Sequence, residues 1–338
     1  MIDIDGSYLE GGGQILRTAA GLSAVTRKPC RVSNIRKGRP NPGLKPQHLK
    51  GIEAVAKLCN GTLKGAKIGS QSVEFHPGKI RPGTYIIDVG TAGSVTLVLQ
   101  ALLIPVIHSG EGITLDITGG THVIWSPTTG YFRHIFCEFM RMMGIEVASE
   151  TMRYGYYPKG GGRVRVTVKT NKGLKPLDLQ ERKGSPIIEA WSNAASMLKD
   201  RKVAERQTEA AGRLIQIDRT NAKYVDSASP GSSITLSASF RNCFLGANAI
   251  GERGKPAEKV GEEAASELKR AIDSGACLDP HMADQILPYL AMAGGESRAS
   301  VSEMTKHCKT NMWLIEKFLP VKFVVKGNII FLKQTASQ

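Results

Sequence analysis

A histidine flanked by lysines, in the string Lys306-His307-Cys308-Lys309, precedes Thr310-Asn311 late in the chain. Imidazole is neutral and nucleophilic near pH 7, and nearby cations favour that neutral form. Such a group could attack a phosphate, act as a base or simply be solvated. Far upstream, Glu10-Gly11-Gly12-Gly13-Gln14 leads into an apolar helix. Glycines let the backbone approach a ligand closely, and a helix start offers N–H groups to an anion. Glu10 could hold a divalent cation that bridges phosphates. The string is neither a P-loop nor a dinucleotide fingerprint, and a tight turn into a helix reads equally well.

Two further strings draw attention. Arg36-Lys37-Gly38-Arg39-Pro40-Asn41-Pro42-Gly43 packs three cations among glycines and prolines. A stiff, positive loop of this kind suits phosphate contact, with Arg39 and the nearby Gln47-His48 pair as the better candidates. Tyr154-Gly155-Tyr156-Tyr157-Pro158-Lys159-Gly160-Gly161-Gly162 is the most unusual string. It reads as a hairpin turn or as a backbone surface for a ligand, and composition does not separate the two.

These groups must be held by a folded protein. The chain has 338 residues, 41 % of them apolar and 22 % charged, which is ordinary for a globular protein. One large domain or two are expected. No run reaches the roughly 18 apolar residues of a membrane span, and the start, Met1-Ile2-Asp3-Ile4-Asp5, does not read as a signal peptide. A cytoplasmic protein is the expectation. Six scattered cysteines form no C-x-x-C pair, and the seven histidines show no metal-binding spacing. The net charge of +15, with a pI near 9.6, suggests a polyanionic partner. The aromatic share of 6 % argues against a platform for long single strands and for local anion recognition.

Periodicity and turn residues predict three stretches with one plan. In the first, a helix follows the glycines to residue 25, then a strand over 30–35, a helix over 46–58, and strands near 63–68 and 72–76. The second opens at Thr91-Ala92-Gly93-Ser94 with an apolar helix to about 107, a strand over 112–117 and the loop Gly119-Gly120-Thr121. A helix over 128–143 and strands over 146–153 and 162–170 complete it. The third is shortened: a helix over 281–293, a strand over 297–303, a loop over 304–309, a helix over 310–318, and strands over 321–325 and 328–332. Between the second and third lies a different, charge-rich α/β segment with helices over 201–214 and 256–273 and strands near 233–239 and 244–250. The expected architecture is α/β (α+β). A large domain, 1–182 with 276–338, holds three βαβαββ-type repeats of about 1–85, 86–175 and 276–338. A small domain, 183–275, is inserted before the third.

Order and spacing of these strings together resemble the RNA 3′-terminal phosphate cyclase family over most of the chain. The resemblance is carried by Gly11-Gly12-Gly13-Gln14-Ile15-Leu16-Arg17, Ile35-Arg36-Lys37-Gly38-Arg39 through Pro42-Gly43-Leu44, and Gln47-His48-Leu49. It continues in Gly93-Ser94 with Thr96-Leu97-Val98-Leu99-Gln100, Gly119-Gly120-Thr121, the run from Gly155 to Gly162, Ala283-Asp284-Gln285, and His307 with Thr310-Asn311. The inserted segment carries little of it. In that family three repeats like the C-terminal fold of translation initiation factor 3 form the large domain.

The resemblance implies an enzyme using ATP and a divalent metal, Mg2+ or Mn2+, on RNA with a 3′-phosphate end. Its histidine forms a covalent adduct with AMP, AMP passes to the RNA 3′-phosphate, and the 2′-OH closes a 2′,3′-cyclic phosphate. By this likeness His307 is the nucleophile, Glu10 serves metal and phosphates, and Arg17 and Arg39 serve the phosphates. Gln47, Gln100 and Asp284 help form the nucleotide pocket, and Pro127 contacts the adenine face. Opposite Pro127 the family usually has a tyrosine; His281 stands here and offers less stacking area. The Gly-rich signature also departs, because its first glycine follows Tyr154 rather than a basic residue. No membrane and no protein partner is implied. The alternative is a non-catalytic, cyclase-like RNA-binding protein in ribosome assembly, a branch that lacks the histidine present here as His307. An enolpyruvyl transferase, of related architecture, is the remote third.

Overall fold

The computed structural model describes residues 1–9 and 11–335. The first sheet contains β1 (Ile2–Asp5), β2 (Cys30–Ser33), β3 (Thr62–Lys64) and β4 (Val73–His76). Helix α1 (Gly13–Thr26) connects β1 to β2, and α2 (Pro46–Cys59) connects β2 to β3. The order is β1-β2-β4-β3, with β1 parallel to β2 and the other pairs antiparallel.

The second sheet repeats this arrangement. Strand β5 (Gly83–Asp88) runs parallel to β6 (Ile113–Gly119), and β7 (Val147–Arg153) and β8 (Gly162–Val168) complete the order β5-β6-β8-β7. Helix α3 (Val95–Ser109) lies between β5 and β6. Between β6 and β7, α4 (Thr129–Tyr131) runs through a π-helical stretch (Phe132–Phe136) into α5 (Cys137–Met142). The expected continuous helix over 128–143 therefore carries a wider turn in its middle.

The short β9 (Asp178–Leu179) is followed by a fourth, differently built sheet: β10 (Ile187–Ala195), β11 (Arg219–Val225), β12 (Ser232–Ser239) and β13 (Phe244–Ile250). It is ordered β11-β10-β12-β13 and accompanied by α6 (Val203–Gly212) and α7 (Ala257–Asp273). The chain then forms α8 (Pro280–Gln285), α9 (Leu287–Met292), β14 (Ser297–Ser300), α10 (Lys306–Phe318), β15 (Val321–Lys326) and β16 (Ile329–Gln334). The last sheet has the order β9-β14-β16-β15, with β9 parallel to β14, so it repeats the order of the first two. The segment 183–275 thus interrupts the chain after the first strand of this sheet, rather than preceding the whole of it.

Burial explains the positions of the helices. The first helix turns Ile15, Leu16, Ala19, Ala20 and Leu22 inward and packs on α2, α3 and α10. Apolar side chains cover nearly every face of α3, as befits a helix enclosed by protein. Ser94 starts it by accepting the Leu97 N–H over 3.3 Å, and Gly110 ends it in the left-handed conformation. One apolar core runs beneath the three like sheets; a second, built on Ile234, Leu236, Leu245, Val260 and Leu268, lies under the fourth. The side chain of Phe240 packs against both. Arg182 covers that ring at 4.7 Å and donates to the carbonyls of Gly275 (3.2 Å) and Ile272 (2.5 Å), fastening the two crossings side by side. All six cysteines are buried and unbridged. Among the described residues no helix is long and apolar enough to cross a membrane.

Candidate functional site

The nucleophile candidate sits on a helix, not in the loop expected over 304–309. Thr305 Oγ1 accepts the Cys308 N–H over 3.1 Å and starts α10 at Lys306, four residues before the expected position. His307 consequently occupies the first turn, where the positive end of the helix dipole faces any approaching anion. Its imidazole Nδ1 lies 2.5 Å from Gln14 Oε1. The Gln14 amide group donates to Asp284 Oδ2 (2.8 Å) and to the His307 carbonyl (3.3 Å). With its N–H groups committed, Gln14 has only an acceptor to offer the ring, so Nδ1 carries the proton in this network. In the neutral imidazole the lone pair then resides on Nε2.

Burial drives the Asp284 carboxyl up to about 7, against the opposing charges of His281 and Arg17. The helices carrying these groups are locked together. Asn311 donates to the Asp284 carbonyl over 2.8 Å, and Thr18 donates to Asn311 Oδ1 over 3.1 Å. Gln14 was visible in the sequence only as part of the Gly-rich string; its place one residue inside a helix start was the available signal.

Beside this network the start of α1 forms a bare backbone cradle. Gly11 takes φ +56°, and Gly12 caps the helix without a side-chain bond. A Cβ on Gly13 would fall 2.2 Å from His48 Nε2, so only glycine fits there. His48 is buried and accepts the Lys45 N–H at Nδ1 over 3.3 Å. Burial first, then the charges of Arg17, Arg36 and Lys45, push it down to about 3, so it stays neutral. Arg17 donates to Gln100 Oε1 over 3.2 Å, which joins two of the expected nucleotide residues. Its Nε is buried and has no hydrogen-bond partner among the described residues. Burial lowers the guanidinium to about 10, partly offset by Asp284. An orphaned, desolvated cation donor beside a glycine cradle suits a phosphate group.

The basic loop divides its labour. Arg36 donates to the carbonyls of Asn41 (2.7 Å) and Gly43 (3.0 Å) and so braces residues 36–43 internally. Arg39 is exposed, and its charge acts on Arg36 after burial in lowering that group.

The remaining candidates belong to one framework. Gln47 Oε1 accepts the Ser94 N–H over 3.3 Å, Ser94 and Thr96 share a hydroxyl bond of 2.8 Å, and Thr96 donates to the Pro127 carbonyl over 2.7 Å. Thr128 Oγ1 accepts the Tyr131 N–H, and the Tyr131 hydroxyl donates to Asp279 Oδ1 over 2.7 Å. Asp279 also accepts the N–H groups of His281, Met282 and Gly246, each over 2.9 Å. One buried carboxylate therefore binds the turn carrying His281 and Asp284 to α4 and to the fourth sheet. The Asp-Pro pair at 279–280 was the overlooked cap signal. His281 pairs with Glu267 over 2.8 Å and meets the Tyr131 ring edge-on. Burial of its inner face opposes its charge, yet Glu267, Asp279 and Asp284 raise it to about 9, with about half of the side chain, 49 %, left exposed.

Glu10, the expected metal residue, lies outside the described residues. Among those described, no three His, Cys, Asp or Glu side chains gather as a metal site.

A histidine oriented by Gln14, a glycine-lined helix start and an arginine Nε without a partner among the described residues thus lie together on an α/β scaffold, a combination that can receive a phosphate group. The family model of RNA 3′-terminal phosphate cyclase matches residues 8–325, and the chain belongs to that family. Relatives named RNA 3′-terminal phosphate cyclase include one from Pyrococcus furiosus, 44 % identical over 97 % of this chain and 96 % of its own. One from Methanopyrus kandleri is 43 % identical over 97 % and 96 %, and one from Caldivirga maquilingensis 45 % over 94 % and 93 %.

Proposed function

We propose that the protein converts an RNA 3′-terminal phosphate to a 2′,3′-cyclic phosphate at the expense of ATP, through a His307–AMP adduct. Family membership supports the reaction, and the Gln14–His307 bond is the observation that carries the mechanism. Nε2 attacks the α-phosphorus, a P–N bond forms, and pyrophosphate leaves. An oxygen of the RNA 3′-phosphate then attacks the same phosphorus and releases the histidine. Finally the 2′-OH attacks the 3′-phosphorus, loses its proton, and expels AMP.

Each transfer divides a hard displacement into easier ones. A 3′-phosphate dianion has no leaving group of its own, and AMP supplies one. Gln14 and Asp284 hold the Nδ1 proton and stabilise the positive charge the ring acquires during attack. Arg17 and Arg39 neutralise charge on the phosphoryl oxygens. Gln47, Gln100, Pro127 and His281 surround the nucleoside, with the His281 cation over the adenine face. The divalent ion, Mg2+ or Mn2+ with Glu10 as its expected ligand, would supply further charge neutralisation.

The common order of three sheets supports reading them as copies of one unit, with a smaller unit at 183–275 inserted into the third. The non-catalytic alternative is disfavoured because His307 is present and oriented. Intact mass after incubation with ATP and magnesium tests the reading. One added AMP on the wild type and none on His307→Ala is expected; equal masses for both would overturn the mechanism.

A further inference from the structure

We propose that Trp125 and Tyr157 form a stacking platform for the unpaired 3′ end of the RNA substrate, a reading that rests on the cyclase function above. The chain has three tryptophans. Trp191 stacks on His134 at 3.6 Å and Trp313 on Tyr8 at 4.1 Å, whereas Trp125 is 93 % exposed. Tyr157, on the neighbouring loop, is 75 % exposed. Leaving two large aromatic faces in water forgoes the burial that holds the other two tryptophans.

The two loops are built to hold those faces still. The N–H groups of Thr121 and His122 both donate to the Gly155 carbonyl, over 2.9 and 3.3 Å, and the Gly155 N–H returns to Thr121 Oγ1 over 2.9 Å. Behind them the buried His122 ring stacks on Tyr154 at 5.2 Å. Trp125 itself takes φ +64°, a left-handed conformation that bulky residues rarely adopt.

Position and charge select the occupant. A Cβ on Gly160 would meet the Ala92 Cα at 2.7 Å, and one on Gly120 would meet the Ala92 carbonyl oxygen at 2.3 Å. Both loops therefore close onto Ala92, two residues before Ser94, whose N–H is held by Gln47. The platform borders the nucleotide residues. Neither loop (residues 120–128 and 154–161) contains Asp or Glu, Lys159 lies beside the Tyr157 turn, and the exposed Arg153 precedes it. A positive surface bearing flat aromatic faces suits a single strand, whose every base has a π-face, and it accepts any sequence.

The test is steady-state cyclisation of a 3′-phosphorylated oligoribonucleotide by Trp125→Ala, Tyr157→Ala and Trp125→Phe, with tryptophan fluorescence as a separate binding readout. Each alanine variant is expected to raise the KM for RNA by roughly tenfold or more, with the KM for ATP unmoved, and Trp125→Phe to restore it. The oligonucleotide should quench wild-type fluorescence, and Trp125→Phe should lose that quenching. An unchanged RNA KM in both alanine variants overturns the platform. So does a variant whose mass in solution changes while its RNA KM does not, which makes the patch an interface between copies. Failure of the cyclase reading itself is a different result: no AMP on the wild-type chain, whatever the fluorescence shows.

Discussion

Oε1 of Gln14 lies 2.5 Å from Nδ1 of His307. The amide works as an adaptor between a buried carboxylate and a histidine. Its N–H end satisfies Asp284, which obliges its oxygen to face the ring and fixes where the imidazole proton sits.

Replacing Gln14 by Leu removes that acceptor. Adduct formation should slow by about 10- to 100-fold, the usual cost of losing a partner that orients a functional histidine. The nitrogen-15 spectrum of His307 should change from one tautomer to a mixture. A single unchanged tautomer in Gln14→Leu would count against the adaptor.

The Asp284 carboxyl, raised to about 7 by burial, predicts a pH dependence. Its ionised form best stabilises the cationic ring formed during attack, so the adenylylation rate should rise up to about pH 7 and level off. In Asp284→Asn that limb should flatten. Stability runs the other way. The folded state binds the proton more tightly than the unfolded one, whose ordinary value is 3.8. The stability this proton contributes is present below the unfolded value and is lost as pH rises through about 7. Urea titrations across that window, on wild type and Asp284→Asn, measure it; parallel curves would refute the shift.

Asp279 offers a stability test away from the reacting atoms. Asp279→Ala abolishes a helix cap and strands the buried Tyr131 hydroxyl and the Gly246 N–H. At about 1–3 kcal/mol for each stranded group and about 1 for the cap, a loss of roughly 3 kcal/mol or more is expected. Denaturant unfolding reads it directly, and a loss under about 1 kcal/mol would mean the groups find other partners.

Arg39 is exposed on a loop braced by Arg36, so its removal should spare the fold. Arg39→Ala should raise the requirement for ATP or for RNA. If the affected contact is with RNA phosphate, the logarithmic salt slope of RNA binding should shrink by about one. Unchanged dependence on both substrates removes Arg39 from the site.

Local signals were legible in the sequence, and long-range ones were not. Pro46 at the first helical position and Gly61 just beyond the end marked α2 to within one residue. Alternation marked β8, whose residues turn alternately inward and outward. By contrast β9 is two residues long and gains meaning only from β14, far along the chain. The π-helical turn at Phe132–Phe136 has no periodic signature of its own. In the site, residue type drew attention to His307, and only the family resemblance pointed to Arg17. The uncharged Gln14 did not, because an amide acquires its role from what stands on either side of it. The start of α10 was missed because Thr310-Asn311 resembles a boundary, while Thr305, five residues earlier, holds the cap.

The late pairing of β9 bears on how a nascent chain assembles. Its neighbour Leu177 donates to Ser297 Oγ across about 120 residues of sequence. That sheet cannot close until the intervening unit has left the ribosome, although the extra loop entropy grows only slowly with length. Strand β14 must emerge before α10, and α10 brings His307 to a Gln14 synthesised almost three hundred residues earlier. The first two sheets can form and bury their helices during translation, and the His307 ring joins them in the last act of assembly.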